Sequence, residues 1–146
     1  MIVVFDASTL VSASLKADSI PERALLRAVS EPNRLLLSPD IEAEYREVIF
    51  RPKFDRYVSV ERRQLILDIV VVAADRIEFP APVRECRDPK DDKYLALAAA
   101  GKADVIVSSD VQDLLSMHPW RGISILSPAA YLALSTGMAK PPSPSA

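Results

Sequence analysis

Carboxylates stand at the points in this chain where apolar segments end. Asp6 closes the run IVVF at residues 2–5, and Asp110 closes ADVIVSS at residues 103–109. Asp113 lies one helical turn beyond Asp110 and can reach the same point. Asp91 and Asp92 open the alanine-rich stretch DDKYLALAAAG. Glu44 falls three residues after Ile41 and four before Val48, so it flanks the apolar stripe of Ile41, Tyr45, Val48 and Ile49. A glutamate turned towards a core is costly unless it is paired or bound to a cation. Several carboxylates sharing one pocket repel strongly when ionised. A divalent cation removes that conflict. The candidate ligands are all oxygen, with no cluster of His or Cys, which favours Mg²⁺ or Mn²⁺ over Zn²⁺.

The other polar residues sort themselves by position. Ser8 is close enough in sequence to hydrogen-bond the Asp6 carboxylate. Asp88-Pro89 reads as a turn. Asp104 begins its apolar segment and belongs at the opposite end of it from Asp110. Periodicity does not choose between Asp91 and Asp92, since both lie near the face of Leu95 and Ala99 and one of them can be a cap. His118 precedes a proline and reads as a loop residue. No GxGxxG or GxxxxGK[ST] loop and no GxSxG elbow occurs. Ser8 stands where a haloacid-dehalogenase-like phosphatase would carry a second aspartate.

Positioning these acids requires a particular scaffold. Short continuous apolar runs at 2–5, 34–38, 103–109 and 123–127, with a further one at 75–79, read as strands covered on both faces. Helical patterns occupy 20–30, 39–50, 60–73, 91–100, 110–116 and 128–136. Ser38-Pro39 and Ser127-Pro128 provide helix starts, and Gly101 provides a stop. Alternating strands and helices predict an α/β fold with a mainly parallel sheet of four or five strands between helical layers. In such folds ligands bind outside the carboxyl ends of the strands. Asp6 and Asp110 fall there.

Composition is consistent with one soluble domain. The chain has 146 residues, 49% apolar and 26% charged. Residues 1–137 are expected to form the domain, and the Pro/Ser-rich end at 138–146 a disordered tail. The single cysteine, Cys86, excludes a disulfide framework and fits a cytoplasmic setting. No segment is long and apolar enough for a membrane helix, and the N-terminus lacks the basic region of a signal peptide. A net charge of −2 does not advertise a nucleic-acid binder. Residues 46–63 do, with Arg46, Arg51, Lys53, Arg56, Arg62 and Arg63 against Glu47, Asp55 and Glu61.

Four ordered blocks resemble PIN-domain ribonucleases of the VapC-like toxin kind. VVFDASTLVSA resembles the opening block, with Ser8 in place of the commoner asparagine and Thr9 in place of an aliphatic residue. LSPDIEAEYREVIFRPKF resembles the block that carries the family's glutamate, here Glu44. RDPKDDKYLALA resembles the third block, whose aspartate precedes Leu-Ala by three and four residues, a register that selects Asp92. ADVIVSSDVQDLL resembles the last, with Ser108 in place of threonine and Asp110 and Asp113 as its acids.

The resemblance implies a Mg²⁺- or Mn²⁺-dependent endoribonuclease that hydrolyses RNA phosphodiesters. Asp6, Asp92 and Asp110 would bind metal, Glu44 would bind metal or orient water, and Asp113 would support them. Arg46, Arg51, Lys53 and Lys93, with the rest of segment 46–63 and Lys90, would hold the phosphate backbone. The resemblance also implies a small antitoxin whose tail fills the acidic cleft, and a homodimer for which the apolar face of 60–73 is a candidate surface. The competing readings are a structure-specific DNA nuclease, an RNA-processing nuclease without a toxin role, and a non-catalytic interaction module.

Overall fold

A computed structural model describes residues 1–134. Five parallel strands form one sheet in the order β3-β2-β1-β4-β5: β1 (Ile2–Phe5), β2 (Arg34–Leu37), β3 (Asp75–Arg76), β4 (Val105–Val107) and β5 (Ser124–Leu126). β1 is central, with Val3 paired to both Leu35 and Val105. Val3 to Phe5, Leu35 to Leu37 and Val105 to Val107 are all buried. That two-sided burial is why these strands read as unbroken apolar runs rather than alternating ones.

Helices cover the sheet to give three α/β/α layers. They are α1 (Ala7–Leu15), α2 (Ile20–Ala28), α3 (Pro39–Ile49), α4 (Val60–Ala73), α5 (Asp92–Ala100) and α6 (Pro128–Leu132). α5 packs on β1, β2 and β4, while α1 packs against α2, α3 and α4. Most starts have a side-chain cap. Ser19, Ser59 and Ser127 accept N–H groups of α2, α4 and α6. Ser38 does not cap α3, because its hydroxyl donates to Asp40 instead, at 2.6 Å.

Three sequence expectations change. The helix expected over 110–116 is a turn followed by a 3₁₀ turn, Leu115–Met117. Asp110 draws the segment into that turn by accepting the Asp113 N–H on its side chain and the Leu115 N–H on its carbonyl. Gly101 ends α5, but not by adopting a left-handed conformation: Lys102 does so, with φ of 52°. A glycine at 101 gives room to the Leu36 side chain, whose methyl would have to shift from a Cβ placed 2.3 Å away. β3 is limited to Asp75–Arg76 rather than 75–79. The tail expected over 138–146 lies outside the described residues.

The basic segment is also less uniform than its composition implies. Arg63 is fully buried, donating to Ile49 O and to Asp55 Oδ1. Arg62 reaches Ser14 O, Ala13 O and the Glu22 carboxylate. These two arginines tie α4 to its neighbours and are withdrawn from the set of phosphate-binding candidates.

Candidate active site

Asp6 sits where β1 runs into α1, with its carboxylate buried. It caps α1: Oδ1 accepts the Thr9 N–H at 2.9 Å and the Ser8 hydroxyl at 3.1 Å. Oδ2 accepts the hydroxyl of Ser108, at the end of β4. Burial pushes the Asp6 carboxyl above its ordinary range, and these hydrogen bonds oppose the shift. Cap and cleft residue are therefore one and the same here. Ser108 also accepts the Asp110 N–H at 2.9 Å, so the ends of β1 and β4 are held together through one hydroxyl.

Glu44 enters from α3. Its Oε1 accepts the Tyr94 hydroxyl at 2.7 Å, and its Oε2 pairs with the Lys93 ammonium. Both partners come from the first turn of α5. Tyr94 is buried, and its oxygen also accepts the Ala7 N–H at 3.0 Å. Burial raises its phenol strongly, with Tyr45 and Glu44 adding to the effect, so it remains a donor to Glu44. The partner of Glu44 is thus a lysine and a tyrosine, and Lys93 is engaged by an acid rather than free for a phosphate.

The third block places a different aspartate from the one its register selects. Asp91, the last residue of a 3₁₀ turn (Pro89–Asp91), lines the cleft with Asp6, Glu44, Asp88 and Asp110. Asp92 begins α5 and faces away. Its Oδ1 accepts the N–H groups of Glu85 at 3.1 Å and Cys86 at 2.7 Å, tying down the preceding loop. The shift follows from where the helix starts: the 3₁₀ turn carries Asp91 inward before α5 begins. Asp88, expected only as a turn residue, does cap this turn through Lys90 N–H at 3.0 Å. It also belongs to the cleft. The three-residue spacing of Asp88 and Asp91, within DPKDD, was the available signal.

The cleft encloses about 680 Å³ at the carboxyl ends of β1 and β4. Carboxylate oxygens of Asp88, Asp91 and Asp113 lie within 4.8 Å of one another. Burial pushes Asp91 up to about 7, helped by a hydrogen-bonding contact with Asp110 and by the charges of Asp110, Asp88 and Asp6. Asp113 is raised as well, by desolvation and then by Asp110 and Asp88. Acids crowded in this way are relieved of their mutual repulsion either by a proton, as at Asp91, or by a bound cation. The all-oxygen set fits a hard divalent ion. Arg51 and Lys90 stand on the cleft wall, with Arg51 paired to Glu47 at 2.9 Å. Arg46 is paired to Glu42 on the exposed side of α3, and Lys53 lies beyond the cleft lining.

Comparison with known proteins agrees with this architecture. A family model described as PIN domain matches residues 2–112. The uncharacterized protein MJ1680 of Methanocaldococcus jannaschii is 29% identical over 117 residues, covering 80% of this chain and 74% of that protein. A solved structure, that of VapBC2 from Rickettsia felis bound to a DNA fragment from their promoter, matches with a TM-score of 0.56. It is 16% identical and covers 86% of this chain and 97% of that chain, a likeness of fold. No helix among the described residues is long and apolar enough to cross a membrane.

Proposed function

The chain belongs to the PIN-domain family, and from that premise we propose that it is a divalent-cation-dependent endoribonuclease, the toxin of a toxin–antitoxin pair. One observation carries the reading. Acids from four separate segments, Asp6, Glu44, Asp91 and Asp110, line one cleft at the carboxyl ends of β1 and β4. Caps and surface charges have no reason to gather so, because their mutual repulsion costs stability.

In this reading Asp6, Asp91 and Asp110 are the principal carboxylates, with Asp88 and Asp113 beside them. Asp91 takes the role that the family register gives to Asp92. A bound Mg²⁺ or Mn²⁺ would neutralise these acids, lower the pKa of a water and stabilise the leaving oxygen of a phosphodiester. The protein's own groups do the rest. Ser108, Ser8 and the Thr9 N–H fix the Asp6 carboxylate so that it cannot rotate out of the cleft. Tyr94 and Lys93 hold Glu44 at the cleft wall, where its carboxylate can orient a water or take up its proton. Arg51 and Lys90 meet the RNA backbone there.

The solved neighbour is a toxin–antitoxin complex by its title. By analogy an antitoxin segment would occupy this cleft, and its removal would release the activity. Leu65 and Val72 stand exposed on α4, which supports self-association through that helix. The test is incubation of the purified chain with RNA and Mn²⁺. Cleavage that disappears with chelator and with Asp6→Asn supports the reading. Absence of cleavage by the wild-type chain, or equal cleavage by the variant, defeats it. Growth arrest on expression of the chain alone, relieved by a co-expressed partner, tests the toxin role separately.

A further inference from the structure

The turn following α3 carries an aromatic ring and cations away from the cleft wall, and a buried charge holds it in place. Arg51 lines the cleft. The Phe54 N–H donates to Arg51 O at 3.0 Å, and the Tyr57 N–H donates to Phe54 O at 3.0 Å. Two consecutive turns therefore lead from the cleft wall to Tyr57. Arg63 underpins them through Ile49 O at 3.1 Å and Asp55 Oδ1 at 2.7 Å. Burying an arginine is expensive, and here the charge goes to fixing one surface turn.

That turn presents a specific surface. Tyr57 is 65% exposed, although the next residue, Val58, is buried. The Arg56 guanidinium lies 5.6 Å from the Tyr57 ring centroid, and the Lys53 ammonium 5.2 Å from that of Phe54. Among the described residues neither Lys53 nor Arg56 forms an ion pair. A single exposed tyrosine needs no explanation. A rigid turn that interleaves exposed cations with an exposed ring, continuous with an acidic cleft, has the chemistry of a single-strand binding surface.

We propose that the Arg51–Val58 turn is a stacking platform for single-stranded RNA running out of the cleft. Tyr57 receives an unpaired base on its ring, and Lys53 and Arg56 hold the phosphates on either side. The platform selects single strands, because the bases of a duplex are already stacked on one another and offer no free face. This inference rests on the reading of the cleft as a ribonuclease site.

The experiment measures binding of a fluorescently labelled single-stranded RNA 12-mer, and of the same sequence as a duplex, to the full chain in chelator. Tyr57→Ala is expected to weaken single-strand binding by about tenfold, the scale of one lost stacking contact, and to leave duplex binding and Tm unchanged. Tyr57→Phe keeps the ring and is expected to bind as wild type does. Single-strand binding by Tyr57→Ala equal to wild type overturns the platform, as does an equal loss on duplex, or a Tyr57→Phe variant as weak as Tyr57→Ala. Wild-type RNA cleavage with Mn²⁺ is measured alongside. If it is present while Tyr57→Ala binds normally, only the platform falls. If the wild-type chain neither binds nor cuts RNA, the ribonuclease reading falls first and the platform with it.

Discussion

Tyr94 joins Glu44 to the start of α1 through a single oxygen, donating to Glu44 Oε1 at 2.7 Å and accepting the Ala7 N–H at 3.0 Å. Glu44 belongs to α3, Ala7 follows Asp6, and Tyr94 is on α5. The phenol thus couples the glutamate to the residue beside the most buried acid of the cleft. Tyr94→Phe removes the oxygen and leaves the ring. It is expected to cost about 1–2 kcal/mol of stability, because the Ala7 N–H stays buried without its acceptor. It is also expected to reduce kcat by about tenfold with little change in KM, the scale of loosening the support of a carboxylate in the proposed site. Urea denaturation and steady-state RNA cleavage read the two effects. An unchanged kcat in a folded variant removes Tyr94 from the machinery.

Asp91 and Asp92 separate by what each touches. Asp91 faces Asp110 in the cleft, whereas Asp92 holds the N–H groups of Glu85 and Cys86. Asp91→Asn should lower Mn²⁺-dependent cleavage by on the order of 100-fold. Asp92→Ala should cost about 1 kcal/mol by freeing two loop N–H groups, and retain most activity per folded molecule. Cleavage assays at a temperature where both variants are folded decide between them. Loss of activity in Asp92→Ala with retention in Asp91→Asn would restore the register read from the sequence blocks.

The part of this site that was legible lay at strand ends. Asp6 and Asp110 follow unbroken apolar runs, and a parallel sheet fixes what lies beyond such runs. Glu44 was legible because its offset from Ile41 and Val48 places it beside the buried stripe of α3. Asp91 was not, since its orientation depends on a 3₁₀ turn that delays the start of α5 by a residue. One residue on a helix is a rotation of about 100°, enough to exchange a cleft residue for a loop clamp. The helical spacing that links Asp113 to Asp110 is not realised, and Asp113 approaches Asp88 and Asp91 through a turn instead. The burial of Arg63 is hidden from the sequence for another reason. Charge counts assign arginines to surfaces, and only the tertiary fold reveals that backbone carbonyls and Asp55 enclose this one.

Arg63 is accordingly expected to behave as a core residue. Arg63→Ala leaves a cavity and removes the donor to Ile49 O, while Asp55 stays solvated, at a cost of about 2–5 kcal/mol, the range for truncating a large buried side chain. Arg62→Ala should cost less, since the Arg62 side chain is itself partly exposed and leaves no closed cavity, whereas that of Arg63 is buried. Equilibrium urea unfolding followed by circular dichroism compares the two. Equal and small losses would mean that Arg63 is not buried in solution.

Cation binding and protonation should compete for the same acids, which fixes the sign of the pH dependence. Asp91 sits near 7 in the folded chain, well above an unfolded carboxyl near 3.9, and Asp6 and Asp113 are raised as well. Between those values the folded chain holds more protons than the unfolded one, so its stability falls as pH rises. The favourable contribution of Asp91 is complete below about pH 4 and is lost as pH passes through about 7, and Asp6 and Asp113 act in the same direction. Glu22 and Glu42 act oppositely, because Arg62 and Arg76 lower them, and their contribution is lost only at acid pH. In chelator, Tm is therefore expected to fall from pH 5.5 to pH 8, and Asp91→Asn to flatten that slope. Added Mn²⁺ should raise Tm most at the upper end, where the acids are ionised and repel one another. A Tm that is flat across this range in chelator, or a Mn²⁺ effect equal at both ends, would show that these carboxyls do not share the pocket.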